Sequence, residues 1–177
     1  TETTRTSGQE NPGSLDNEVV IPELFIEAIA DNGFTVGLAY VPTSELGAKS
    51  RSDANVDGDT GTYKAKAELS NAIQIYTDLP LISLGSFPFH AKVGVQHVKV
   101  ETGESLNAGS KYGDQNIYGL TLGLGTKGDI PYGNNLYYKA EVTYTNFETV
   151  RLKSDAINKV KADFDATAAK ISIGYKF

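Results

Sequence analysis

The chain has 177 residues, enough for one domain, with 22 acidic against 16 basic side chains and a net charge of -6. An acidic surface repels phosphates, which argues against nucleic acid as a partner. The absence of cysteine excludes disulfides and thiolate metal sites, and the apolar runs fall far short of the ~18–20 residues a transmembrane helix needs.

In chain order, residues 1–17 are rich in Gly, Pro, Ser and Thr and read as a loop or leader. The chain has no methionine, even at position 1, so a segment upstream of Thr1 is expected, a removed secretory signal peptide being the ordinary reason. A first strand over residues 19–30 sets Leu24, Ile26 and Ala28 against Glu23, Phe25 and Glu27. Asp31-Asn32-Gly33 is a tight hairpin signal. Phe34, Val36, Leu38 and Tyr40 then oppose Thr35, Gly37 and Ala39. Because successive side chains of a strand point to opposite faces, such alternation gives one apolar and one polar face.

The pattern continues. Tyr63, Ala65, Ala67, Leu69, Ile73 and Ile75 oppose Lys64, Lys66, Glu68, Ser70 and Gln74, with Asn71 breaking the apolar face where a bulge would fit. Phe87, Phe89, Ala91, Val93 and Val95 oppose His90, Lys92, Gly94 and Gln96. Tyr118, Leu120, Leu122 and Leu124 oppose Gly119, Thr121, Gly123 and Gly125. Leu136, Tyr138, Ala140, Val142 and Tyr144 oppose Tyr137, Lys139, Glu141, Thr143 and Thr145. In the last strand Thr167, Ala169, Ile171, Ile173, Tyr175 and Phe177 oppose Ala168, Lys170, Ser172, Gly174 and Lys176. The connections alternate in length: 44–61, 102–113 and 150–163 are long and polar, while 31–33, 78–86 and 127–134 are short.

The ending Ile171-Ser172-Ile173-Gly174-Tyr175-Lys176-Phe177, with the alternation and the loop asymmetry, resembles the small outer-membrane barrels of the OmpA, OmpX and OmpW type across residues 18–177. The resemblance implies an all-β, antiparallel, up-and-down transmembrane β-barrel of eight strands, seven of them visible here and the first upstream of Thr1. Residues 1–17 are then the rest of the first extracellular loop; a floppy leader with a miscounted strand is the alternative. It further implies a bacterial outer-membrane location, a periplasmic C-terminus and long extracellular loops. Ile171, Ile173, Tyr175 and Phe177 would be the signal read by the barrel assembly machinery. Lipid bilayer and lipopolysaccharide are the implied surroundings.

The direction of the polar face decides the rest. A lysine turned to lipid near the midplane costs roughly 2–4 kcal/mol, so Glu23, Glu27, Lys64, Lys66, Glu68, His90, Lys92, Lys139, Glu141 and Lys170 are expected as a barrel-interior charge network. Eight strands enclose only enough space for their own side chains. Phe34, Phe87, Phe89, Tyr138, Tyr175 and Phe177 are expected at the periplasmic rim and Tyr40, Tyr63 and Tyr144 at the outer one. Asp53, Asn55, Asp57 and Asp59 have the spacing that opens a calcium loop, but Lys64 stands where the bidentate Glu belongs and the flanks read as strands. An EF-hand is excluded; a weak calcium site and a solvated acidic loop tip both remain open. His90 and His97 fall on opposite faces and make a poor metal pair.

The expected role is a non-enzymatic outer-membrane barrel, structural or binding an unknown extracellular ligand through its loops. Competing readings are a narrow solute channel, a membrane enzyme with His90 as base, and a soluble ligand-binding barrel with an apolar inside.

Overall fold

A computed structural model describes residues 2–4, 10–12, 17–53, 61–85, 87–105, 113–132, 135–153 and 159–177; the side chains of 2–4, 10–12, 46, 48–53, 61–65, 67, 104–105 and 159–160 are outside that description. The described residues form strands and turns without helix. The strands are β1 (Glu2–Thr4), β2 (Glu10–Pro12), β3 (Leu24–Ile29), β4 (Thr35–Val41), β5 (Ser44–Asp53), β6 (Gly61–Leu84), β7 (Phe87–Ser105), β8 (Gln115–Asp129), β9 (Leu136–Phe147), β10 (Val150–Lys153), β11 (Lys159–Ala162) and β12 (Asp165–Tyr175).

An antiparallel sheet in the order β12-β9-β8-β7-β6-β4-β3 curls into a half-barrel. Neighbours in this order run antiparallel, and short hairpins join β3 to β4, β6 to β7 and β8 to β9. At the first, Gly33 takes a φ of 85° and its N–H bonds the Ala30 carbonyl at 2.8 Å, while Asn32 Oδ1 accepts from Phe34 N–H at 3.0 Å. β5 continues the path of β4 along β6 after an interruption at Pro42, which has no N–H to give.

Expected connections carry strand instead, with β6 running on to Leu84 within 78–86 and β7 to Ser105 within 102–113. The 44–61 stretch contains β5, and 150–163 contains β10 and β11, which extend the β9–β12 hairpin and pair with each other. β1 and β2 add to β11, giving a second sheet in the order β10-β11-β1-β2, so the 1–17 region is partly strand. The first main strand is also shorter than the expected 19–30.

Asn71 does mark a bulge. It has a φ of 50°, and the β6–β7 register jumps between Ser70 and Ile73. One extra residue inverts the facing of everything beyond it. Below the bulge, Gln74, Tyr76 and Asp78 point to the concave side; above it Leu69 does, opposite Val100.

The distribution of side chains is inside-out. The convex face exposes Leu24, Ile26, Val36, Leu38, Ile73, Ile75, Val93, Val95, Leu120, Leu122, Leu124, Val142 and Ile173, with Ile171 89 % exposed. The concave side buries Thr35, Gln74, Asp78, His90, Lys92, Thr121, Lys139, Glu141, Thr143 and Thr145; Lys92 is 1 % exposed and Asp78 0 %. At one end the concave side becomes apolar, where Val41, Leu69, Ala72, Val98, Val100, Ile117, Phe147, Val150 and Leu152 form a packed cap.

The two open edges of the sheet approach each other. The row of paired residues starting at Glu27 on β3 runs through Gly37, Tyr76, Gly94, Thr121 and Thr145 to Ala166 on β12. Glu23, four residues before Glu27, is thus level with Ala162 along the rows, yet it pairs with Lys170 at 2.5 Å, an offset of eight residues. Such a stagger is what tilted strands acquire when a sheet closes on itself.

Candidate functional site

The buried charges converge on one cluster. β3 supplies Glu27, β6 Tyr76 and Asp78, β7 His90 and Lys92, β8 Lys127, and β9 Tyr137, Lys139 and Glu141. Alternation aims all of them at the concave side, and two glycines let them meet. Gly125 lies between His90 and Glu141 in one row of the sheet, and a Cβ there would sit 2.8 Å from His90 Nε2 and 2.7 Å from Glu141 Cγ. With no side chain in between, His90 Nε2 reaches Glu141 Oε1 at 3.0 Å. Gly37 lies under the Tyr76 ring, where a Cβ would come within 2.3 Å of Cζ. This clearance lets the Tyr76 hydroxyl donate to Glu27 Oε1 at 2.6 Å.

Asp78 accepts from Lys139 at 2.8 Å and from Lys127 at 3.3 Å, and it has Lys92 at 3.6 Å. Glu141 Oε1 has Lys92 at 3.1 Å and Lys139 at 3.4 Å. Glu27 accepts from Lys139 and from the Tyr137 hydroxyl, the latter at 3.1 Å. Lys92 Nζ lies 3.4 Å from the centre of the Tyr76 ring, close enough for a cation–π contact. Three carboxylates thus face three ammonium groups, and the formal charges of these six side chains cancel. That balance matters because a buried unpaired charge costs several kcal/mol. Toward the apolar cap, Gln74 donates to Thr121 at 2.7 Å, and Thr121 and Thr145 share a hydrogen bond of 2.8 Å.

Donor atoms of Asp78, His90 and Glu141 lie within 4.8 Å of one another, a set of types that suits a transition metal. Asp78 Oδ1 and His90 Nδ1 are buried without a hydrogen-bond partner among the described residues. The lysines nevertheless stand where a cation would bind, and a divalent ion would leave a buried excess of two positive charges. The ring of His90 is buried as well.

The expected network is therefore divided. Glu27, His90, Lys92, Lys139 and Glu141 belong to the cluster; Glu23 and Lys170 form their own pair across the open edges. Lys66 and Glu68 do not join it. The bulge at Asn71 turns them to the face opposite the cluster, level with Gly103 and Glu101, where they pair with each other at 2.7 Å. The hydrogen bond to Glu68 raises the Lys66 pKa, and on the same stretch those to Glu101 and Asp114 raise that of Lys99. The side chain of Lys64 lies outside the described residues, as do Asn55, Asp57 and Asp59; of the calcium candidate only the Asp53 backbone is described, at the end of β5 opposite Gly61.

Sequence reasoning missed Asp78 and Lys127 because both sit beside residues that read as turns. The parity of Gln74 and Tyr76 carries straight on to Asp78, and that signal was available. Ile171, Ile173, Tyr175 and Phe177 all expose their side chains, with Tyr175 and Phe177 stacked edge to face at 5.6 Å. Of the expected rim aromatics Phe34, Phe87, Tyr40 and Tyr144 are exposed, Phe89 and Tyr138 are half-buried, and the side chain of Tyr63 lies outside the described residues. No family model, curated protein or solved structure matches this chain.

Proposed function

We propose that this chain is a membrane-spanning β-barrel of the bacterial outer-membrane kind, non-conducting, that acts as a structural element or binds partners through its long loops. One observation carries the reading: the convex face exposes Leu, Ile and Val in a continuous band while Lys92, Lys139, Asp78 and Glu141 are enclosed. In water this arrangement would be wrong on both sides. Monomers rarely show apolar patches of more than a few hundred Å², and each large aliphatic side chain hidden from water is worth ~1.5–3 kcal/mol. Hydrocarbon around the band and protein around the charges remove both penalties. The soluble-barrel alternative needs the opposite partition.

Closure would come from an eighth strand between β3 and β12. The eight-residue stagger across the opening supports it, and so does β1, which runs antiparallel to β11 and so leads back toward the free edge of β12. A strand entering β1 from below would run antiparallel to both β12 and β3, as an even strand number requires. On this reading the long loops face outward and the C-terminus lies in the periplasm.

The paired charges of the interior and the packed cap above them favour a closed barrel over a solute channel. The test uses the full-length protein in detergent and in planar bilayers. Detergent-dependent solubility, a heat-dependent shift in gel migration and no stable conductance are expected. Monomeric behaviour without detergent would overturn the membrane assignment; stable large conductance would overturn the closed interior.

A further inference from the structure

We propose that the tip of the β6–β7 hairpin, residues 79–85 and 87–89, is a lipid-seeking finger that embeds in the membrane interface on the short-turn side of the barrel. It rests on the barrel reading above and adds an attachment point that the band of a closed barrel does not require. The ladder with β4 ends at Asp78, paired to Thr35, and the ladder with β8 starts at Phe89, paired to Thr126. Between them no third strand continues the ladder in the described residues: Pro80 faces His90, Ser83 faces Pro88 and Leu84 faces Phe87, and β8 reaches the tip through the Thr126 hydroxyl, which donates to the Pro88 carbonyl at 2.8 Å. A two-stranded hairpin standing alone in water is marginal at best.

Its composition suits hydrocarbon. From Leu79 to Phe89 there is no ionisable side chain. Leu79 and Leu81 continue the outward row of Ile73 and Ile75, so the finger is continuous with the apolar band. Across the register jump between Pro80 and Ser83 the consecutive Leu81 and Ile82 are both exposed, at 55 % and 65 %, and Leu84 beyond them is 61 % exposed.

Two features select lipid over a protein partner. Pro80 and Pro88, one on each strand, lack N–H groups and blunt the hairpin edges against pairing with another chain. Because consecutive residues on both faces are exposed, a protein docking on one face would leave the other wet, whereas lipid surrounds both. At the interface, water and headgroups satisfy the backbone groups of the free edges.

These 177 residues contain no tryptophan, so a single one introduced among them reports without background from them. Leu84→Trp and, separately, the mid-band control Leu122→Trp are prepared in the full-length protein in phosphatidylcholine vesicles carrying brominated acyl chains. Loss of most of the Leu84→Trp emission to lipids brominated near the headgroup, with little loss to iodide, is expected. If iodide quenches Leu84→Trp while lipid quenches only Leu122→Trp, the barrel stands and the finger does not. Protection of Leu84→Trp from both quenchers would mean burial against protein and would also overturn the proposal. Failure of lipid to quench either variant would remove the membrane reading itself.

Discussion

Replacing Lys139 with methionine keeps the apolar stem and removes one charge from the centre of the interior cluster. Its ammonium is shared by Glu27, Asp78 and Glu141 and is almost wholly enclosed. After the substitution three carboxylates face Lys92 and Lys127 alone. Asp78 and Glu141 keep Lys92 nearby, and Asp78 keeps Lys127. Glu27 keeps only two tyrosine hydroxyls and loses its cation. Removing one partner of a buried ion pair costs about 3–5 kcal/mol, a large part of the ~5–15 kcal/mol that holds a domain together. Urea unfolding in lipid vesicles, followed by far-ultraviolet circular dichroism, measures the loss. Adding Glu27→Gln restores neutrality, and the double variant is expected to recover at least about 1 kcal/mol, within the range for directly coupled neighbours. A loss below about 1 kcal/mol for Lys139→Met, as exposed pairs give, would mean that water screens the cluster, and the case for an enclosed interior would be refuted.

Three further outcomes follow from the same geometry. Leu122→Arg puts a charge in the middle of the exposed apolar band; unfolding from vesicles should show a loss of roughly 2–4 kcal/mol, where an ordinary wetted surface site would change by less than about 0.5 kcal/mol. Gly37→Ala drives a methyl into the Tyr76 ring and should destabilise by about 1–3 kcal/mol through overpacking, with loss of the Tyr76–Glu27 hydrogen bond visible as a more accessible tyrosine. Phe147→Ala removes the largest side chain of the apolar cap and should cost about 3–5 kcal/mol; because the salt-bridged layer below it stays intact, planar-bilayer recordings should remain silent, and a conducting variant would show that the cap alone seals the interior.

The faces of the strands were legible because alternation is local. Ile171 and Ile173, Leu120 to Leu124, and Val36 and Leu38 all lie on the exposed face that their parity assigns. His90, Lys92, Lys139 and Glu141 lie on the buried one. Asn71 was visible as an interruption, but its consequence was not. A single inserted residue moves Leu69 into the cap and takes Lys66 and Glu68 away from the cluster, and local parity cannot say which side of a break has turned. The strand β5 escaped notice because its sequence is polar and charged, and β10 and β11 because four residues each, alternating Val150 and Leu152 with Arg151 and Lys153 and Val160 and Ala162 with Lys159 and Lys161, are too short to stand out from a charged loop. They exist through pairing with neighbours already in place.

By itself the sequence determined an antiparallel all-β chain with one greasy and one ionic face, since a period of two needs only the neighbouring residue to define it. Which charges meet was decided by tertiary structure. Glu27 reaches Lys139, and Glu23 reaches Lys170, only because the curled sheet staggers its far edges past each other. That offset is a property of how seven strands tilt together, and no segment of the chain encodes it alone.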